Sequence, residues 1–176
     1  MTVDGRGGFT ATMSSNAITV LTTVTAVATA AIGGVFYAFS TFVMQGLDRT
    51  GPVDAITAMR GINAEAQTSV AFMALFAGSA LLSVAVGVLA VLRAQPPGRW
   101  YLLAGAVLGV AGFVVTVAFN VPLNNRLDGL APGGMSPTEA ATEWRAYLTS
   151  WTAWNHVRTI TGIAAGALMV TGVLRR

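Results

Sequence analysis

Four stretches of this chain are apolar enough and long enough to cross a lipid bilayer, which leaves it few folds to choose from. A helix needs about 20 residues to span the hydrocarbon. Four segments meet that length: Ala17 to about Met44, about Val70 to Leu92, Trp100 to Phe119, and a last one ending at Leu174. Of the 176 residues, 54% are hydrophobic and 10% charged, whereas a soluble domain carries about a quarter charged. Too little polar surface remains for a dissolved monomer. The expected architecture is all-α: a four-helix transmembrane bundle, one domain over residues 17–176, behind a flexible Gly/Thr/Ser-rich tail over 1–16.

The charges suggest how the bundle sits. All ten cations are arginines, scattered along the chain with a net charge of +3, which is no nucleic-acid footprint. Arg6 in the tail, Arg93 and Arg99 around "AQPPG", and Arg175 and Arg176 at the end flank the spans with simple cations. The positive-inside rule makes these regions cytoplasmic, so both termini face inward across the cell (inner) membrane. Five arginines also lie on the other side, but six acids accompany them. The "ATAA" at 28–31 resembles a signal-peptidase site; the apolar run continues past it, so the first span reads as an anchor that stays.

The connections on the far side read as helical extensions of the bundle on its extracytoplasmic side. The segment after span one starts a helix near Pro52, with Arg60, Asn63 and Gln67 on one stripe beside an apolar stripe from Met59 to Met73. Before span four, Ser136 suits an N-cap, Pro137 the first helical position and Glu139 the capping-box position. Small residues recur on every span, as in "AIGG", "AGSA" and "GIAAGA", and let helices approach closely in lipid.

Counting inward from the membrane boundary locates the polar residues. Only 16 uncharged residues separate Arg158 from Arg175, so a span counted back from Leu174 ends at Asn155. Asn155, His156 and Arg158 therefore sit at or just inside the far hydrocarbon boundary. The same count from Trp100 puts Asn120 at that level, followed by "VPLNNRL", where Pro122 should kink or end the helix and Asn124 continues outward. Span one offers Tyr37, Ser40, Thr41 and Met44 at comparable height. At about 100° per residue, Trp151, Trp154, Asn155, Arg158 and Gly162 share a face, while His156 points away from Trp151. An intramembrane arginine suggests a functional site with a partner; Glu65, Glu143 and Asp128 are candidates, and a structural salt bridge is the plain alternative. The tryptophans equally suit an interfacial belt.

Taken together, "GGVFYAFSTFVM", "NVPLNNRL" and "WTAWNHVRT" resemble the anthrone oxygenase-like membrane proteins, a family largely without assigned activity. The resemblance covers nearly the whole chain. It makes Asn120, Pro122, Asn124, Trp151, Asn155 and Arg158 the motif positions. For the family's characterised branch it implies cofactor-independent oxidation of polyketide anthrones to anthraquinones by O2.

The residues fit such chemistry. An anthrone enolate can pass one electron to O2 without metal or flavin, so a protein need only bind a flat aromatic, stabilise an oxyanion and accept a proton. The expected site has His156, Arg158 and Asn155 as catalytic groups, with His156 the default base because it alone titrates near neutrality, although its direction counts against it. Trp151 and Trp154 suit stacking; Asn120, Asn124, Tyr37, Arg60 and Asn63 complete a substrate-binding set. No cofactor is expected. Cysteine is absent and histidine single, too few ligands for zinc or non-haem iron; haem on His156 has no support, and no Gly-rich phosphate loop follows a strand. The expected partners are a small hydrophobic aromatic substrate, O2 and the lipid bilayer, with a homo-oligomer left open. The rival reading is a non-enzymatic membrane module: a binder of a small hydrophobic ligand or lipid, or a structural subunit whose polar layer clamps the bundle.

Overall fold

In the computed structural model, which describes residues 6–175, every long element is helical. The chain runs through α1 (Arg6–Ala38), a π-helical turn (Phe39–Val43), α2 (Met44–Asp48), α3 (Pro52–Thr68), α4 (Val70–Arg93) and α5 (Gly98–Val115). A second π turn (Thr116–Asn120), α6 (Val121–Asp128), a short 3-10 turn (Pro132–Gly134) and α7 (Pro137–Leu174) complete it. Four helical rods, Asn16–Asp48, Val70–Arg93, Gly98–Asp128 and Pro137–Leu174, are long and apolar enough to cross a membrane. The tail expected over 1–16 lies outside the described residues at positions 1–5; from Arg6 the backbone is already helical.

Each rod packs mainly against two neighbours, in the ring α1, α7, α5, α4, so the main contacts are between antiparallel helices. Glycines set the closest of them. A Cβ on Gly162 of α7 would stand 2.9 Å from Gly33 Cα of α1, so backbone meets backbone there, as tight packing in lipid requires. The lipid-side faces carry Val20, Leu81, Val107 and Ile160, all well exposed.

At one end the bundle outgrows the bilayer. α7 has 38 residues, about 57 Å at ~1.5 Å each, against roughly 30 Å of hydrocarbon. Its first half packs with α2, α3 and α6 around Met44, Ile56, Met59, Leu127, Trp144, Tyr147 and Trp151. Deeper in the membrane a second cluster holds Ile32, Phe36 and Phe76. The local signals explain these elements. Gly51, at φ 93°, makes the turn before Pro52, and Ser69 caps α4 by accepting the Phe72 N–H at 3.3 Å. At the start of α7, Ser136 and Glu139 form the reciprocal capping box.

Span three differs from expectation. Pro122 does not end it; the helix continues to Asp128. The π turn just before the proline inserts an extra residue, closed by the Val121 N–H on the Thr116 carbonyl, and this wider turn absorbs the proline's misfit.

Candidate functional site

The two π turns flank one level of α7, and the buried polar side chains gather there. Trp151, Asn155 and Arg158 all face inward on α7, with Asn155 at 0% and Arg158 at 5% exposure. They share this face because they are spaced three and four residues apart. The Arg158 guanidinium lies between two aromatic faces, 4.1 Å from the Phe36 ring centre and 4.8 Å from that of Trp151. One edge donates to Asn155 Oδ1 at 2.5 Å, and Nη1 reaches Thr116 Oγ1 at 3.5 Å. Its Nε–H has no partner.

Asn155 is anchored in turn. Its Nδ2 donates to the Phe36 carbonyl and to Ser40 Oγ, each at 2.6 Å, and Ser40 lies 3.3 Å from Thr159 Oγ1. Ser40 belongs to the first π turn and Thr116 and Asn120 to the second. An inserted residue in a helix turns the following side chains by about 100°, which aims both turns at α7. Asn120, fully buried, donates from Nδ2 to the Trp151 carbonyl at 3.3 Å, while its Oδ1 has no donor.

Asn124 sits one turn further on. Its Oδ1 accepts from both Trp151 Nε1 and the Tyr147 hydroxyl at 2.9 Å, so this oxygen holds the indole that lies over Arg158. Asn63 from α3 is buried and faces the Tyr147 hydroxyl. Its neighbour Arg60 turns elsewhere, to the Leu130 carbonyl at 2.8 Å and Asp128 at 3.4 Å.

The structure thus brings Asn63, Asn120, Asn124, Trp151, Asn155 and Arg158 into one contiguous cluster. It does not bring in His156, which is exposed on the opposite side of α7, or Tyr37, 55% exposed. Trp154 is half-buried and stacks on Phe119 at 3.6 Å and 8°, along the α5–α7 seam. Phe36, Thr116, Tyr147 and Thr159 went unnamed as site residues in the sequence reading. Thr116 is one helical turn before Asn120, a signal the pattern did offer. Phe36 had none, since a phenylalanine in a membrane span is ordinary.

The acids proposed as partners for Arg158 lie elsewhere. Asp128 pairs with Arg60, Glu143 with Arg126 at 2.9 Å, and Glu65 is exposed. Arg158 is therefore held by neutral oxygens and ring faces. Aromatic faces attract cations by their quadrupole, and a buried charge held this way keeps capacity for an anion that a salt bridge would have consumed. Among the described residues no group of three His, Cys, Asp or Glu side chains converges as a metal site would need.

Two cavities border the start of α7: one of about 70 Å³ lined by Arg126, Glu143, Tyr147 and Ser150, and an open groove of about 570 Å³ between Gly134 and Thr142. Neither is lined by Arg158. Residues 66–168, more than half of the chain and including Asn120, Asn124, Trp151, Asn155 and Arg158, match the family model described as anthrone oxygenase. No curated protein and no solved structure matches.

Proposed function

The chain belongs to the anthrone oxygenase family, and from that premise we propose that it oxidises a hydrophobic phenolic or aromatic substrate with O2, using no metal or flavin. The observation that carries this reading is the buried Arg158, stacked between Phe36 and Trp151 with no carboxylate against it and one N–H unclaimed. A cation kept in that state suits an enolate oxygen, whose charge develops as the substrate loses its proton. The chemistry balances without a cofactor. The activated CH2 loses a proton to water and its carbanion gives one electron to O2. The resulting radicals combine at carbon, and the peroxide takes up a proton and expels water to leave a ketone. Asn155 orients the guanidinium, Asn120 Oδ1 is free to accept a substrate hydroxyl, and Trp151 supplies a flat wall.

The substrate, being apolar, enters from the bilayer. Its door is the α5–α7 seam, covered by the stacked rings of Phe119 and Trp154, the chain neighbours of Asn120 and Asn155. The protein works in the cell membrane with both termini in the cytoplasm and the site near the extracytoplasmic leaflet, as a monomer or homo-oligomer. His156 is left outside the chemistry in this reading.

The test is O2 uptake by detergent-purified protein supplied with a panel of anthrones and hydroquinones, with metal and chromophore content measured on the same sample. Turnover at metal well below one equivalent is expected. Arg158→Lys retains charge but not the flat, doubly stacked shape, so uptake should fall at least about tenfold, as for loss of an oxyanion donor. Quantitative metal binding overturns the cofactor-free mechanism. No turnover on any compound favours the second reading, in which Asn155, Ser40, Thr116 and Arg158 serve only to lock the helices. Their mutual hydrogen bonds are the observation on its side.

A further inference from the structure

We propose that the buried amides beneath Tyr147 line a hydrated shaft joining the aqueous phase at the α3 end to the Arg158 guanidinium. Five buried side-chain atoms among the described residues lack a hydrogen-bond partner: Asn63 Nδ2, Asn120 Oδ1, Arg158 Nε, Arg99 Nε and Thr152 Oγ1. The first three belong to side chains at most 6% exposed, and they fall along one file. Asn63 faces the Tyr147 hydroxyl, which donates to Asn124. Asn124 also receives the Trp151 indole N–H, Asn120 donates to the Trp151 carbonyl, and the Trp151 ring lies over Arg158.

Buried polar groups are almost always satisfied by protein or by ordered water. The unclaimed groups alternate as donor, acceptor and donor, and a small neutral molecule that both donates and accepts fits all three. Water is that molecule in the substrate-free protein, and substrate displaces it from Asn120 and Arg158 when it binds. Tyr147, at the upper end of the file, also lines the cavity of about 70 Å³ together with Arg126, Glu143 and Ser150, which has room for a few waters at roughly 10–15 Å³ each. Arg126 and Glu143 pair across the mouth at 2.9 Å, with Arg126 66% exposed.

The shaft supplies what the site lacks. Its use in catalysis, though not its existence, rests on the oxidation proposed above. No carboxylate contacts Arg158 and His156 faces away, so no side chain in the cluster is placed to receive the substrate proton. A file of water carries that proton out and returns it to the peroxide, and the product water leaves by the same route. The hydrophobic substrate and the polar by-products then use different doors.

The chain contains no cysteine, so single cysteines can be placed and probed with a membrane-impermeant cationic methanethiosulfonate reagent. Asn63→Cys and Asn120→Cys are compared with Val86→Cys, buried in the apolar core, and with Gly133→Cys, where an added Cβ meets nothing within 4 Å. Thiols react as thiolates, which need water, so both Asn63→Cys and Asn120→Cys should label at least about tenfold faster than Val86→Cys. They should do so only from the face of the membrane that labels Gly133→Cys. If Asn120→Cys does not assemble, Thr116→Cys, beside the guanidinium, replaces it; labelling after detergent denaturation confirms that each thiol is present. Labelling of the inner position no faster than Val86→Cys overturns the shaft. It would leave the oxidation proposal standing, because O2 uptake is measured separately on the cysteine-free protein.

Discussion

Arg158 shows how one residue's surroundings decide its use. A buried cation beside a carboxylate is a fastener, and removing either partner strands the other. Here the two faces are occupied by Phe36 and Trp151 and the edge by Asn155 and Thr116. Asn155 bears more of the structural burden than Arg158 does. It donates one bond to α1 at Phe36 and one to the first π turn at Ser40, and accepts one from the arginine, and each buried group left unsatisfied costs about 1–3 kcal/mol. His156 is the opposite case. As the chain's single histidine it is the base the sequence suggests, but it is exposed on the far side of α7. His156→Gln should therefore leave O2 uptake and its pH profile near wild type, whereas removing a true general base costs about 100-fold or more. A loss of that size on the best anthrone substrate would return His156 to the mechanism. The sequence made Asn120, Asn155 and Arg158 conspicuous because polar groups are rare and costly at that depth. It could not distinguish Asn124 as a residue that positions Trp151, because that depends on which donors reach its oxygen.

At the scale of elements, the two π turns and the glycine crossings do the aiming. Phe39–Val43 and Thr116–Asn120 occur on the two rods that flank α7, and each turns its polar residues toward the same stretch of that helix. The proline expected to kink or end span three instead follows directly on one of these turns, inside a helix that continues. Hydropathy reports length and burial but not an i to i+5 hydrogen bond, which is why span three was read as shorter than it is. The glycine reading can be tested by contrast. Gly162→Leu places atoms where the Gly33 backbone already stands, and Gly34→Leu places them in open space. The first should prevent assembly or sharply lower the melting temperature in detergent. The second should shift stability by no more than about 0.5 kcal/mol. Equal effects would mean that α1 and α7 do not cross at Gly33 and Gly162.

The whole molecule is a membrane bundle with a second core built above one end. That second core holds Trp151 from above while the Phe36 cluster rises from below, so the guanidinium sits where the two meet. The proposed oxidation and the proposed shaft both build on this position: substrate would reach the charge from the side and water from the end. The proposed sidedness, with both termini in the cytoplasm, rests on the arginines around residues 93–99 and at the C-terminus and has a direct test. In intact cells an impermeant reagent should modify Gly133→Cys and leave Gln95→Cys untouched, and the reverse pattern would invert the topology. Four spans, the outer helical connections and the Ser136 capping box were all legible in the sequence, because they depend on local hydropathy and on hydrogen bonds between near neighbours. The common level of the polar residues was legible too, since depth in a bilayer can be counted along a helix. The facing of those residues was not. The Arg158 aromatic sandwich, the exposure of Tyr37 and His156, and the file from Asn63 to Asn120 depend on how each rod is rotated against the others. That rotation is set by small-residue contacts and by single inserted residues, whose effect appears only when all four helices are packed.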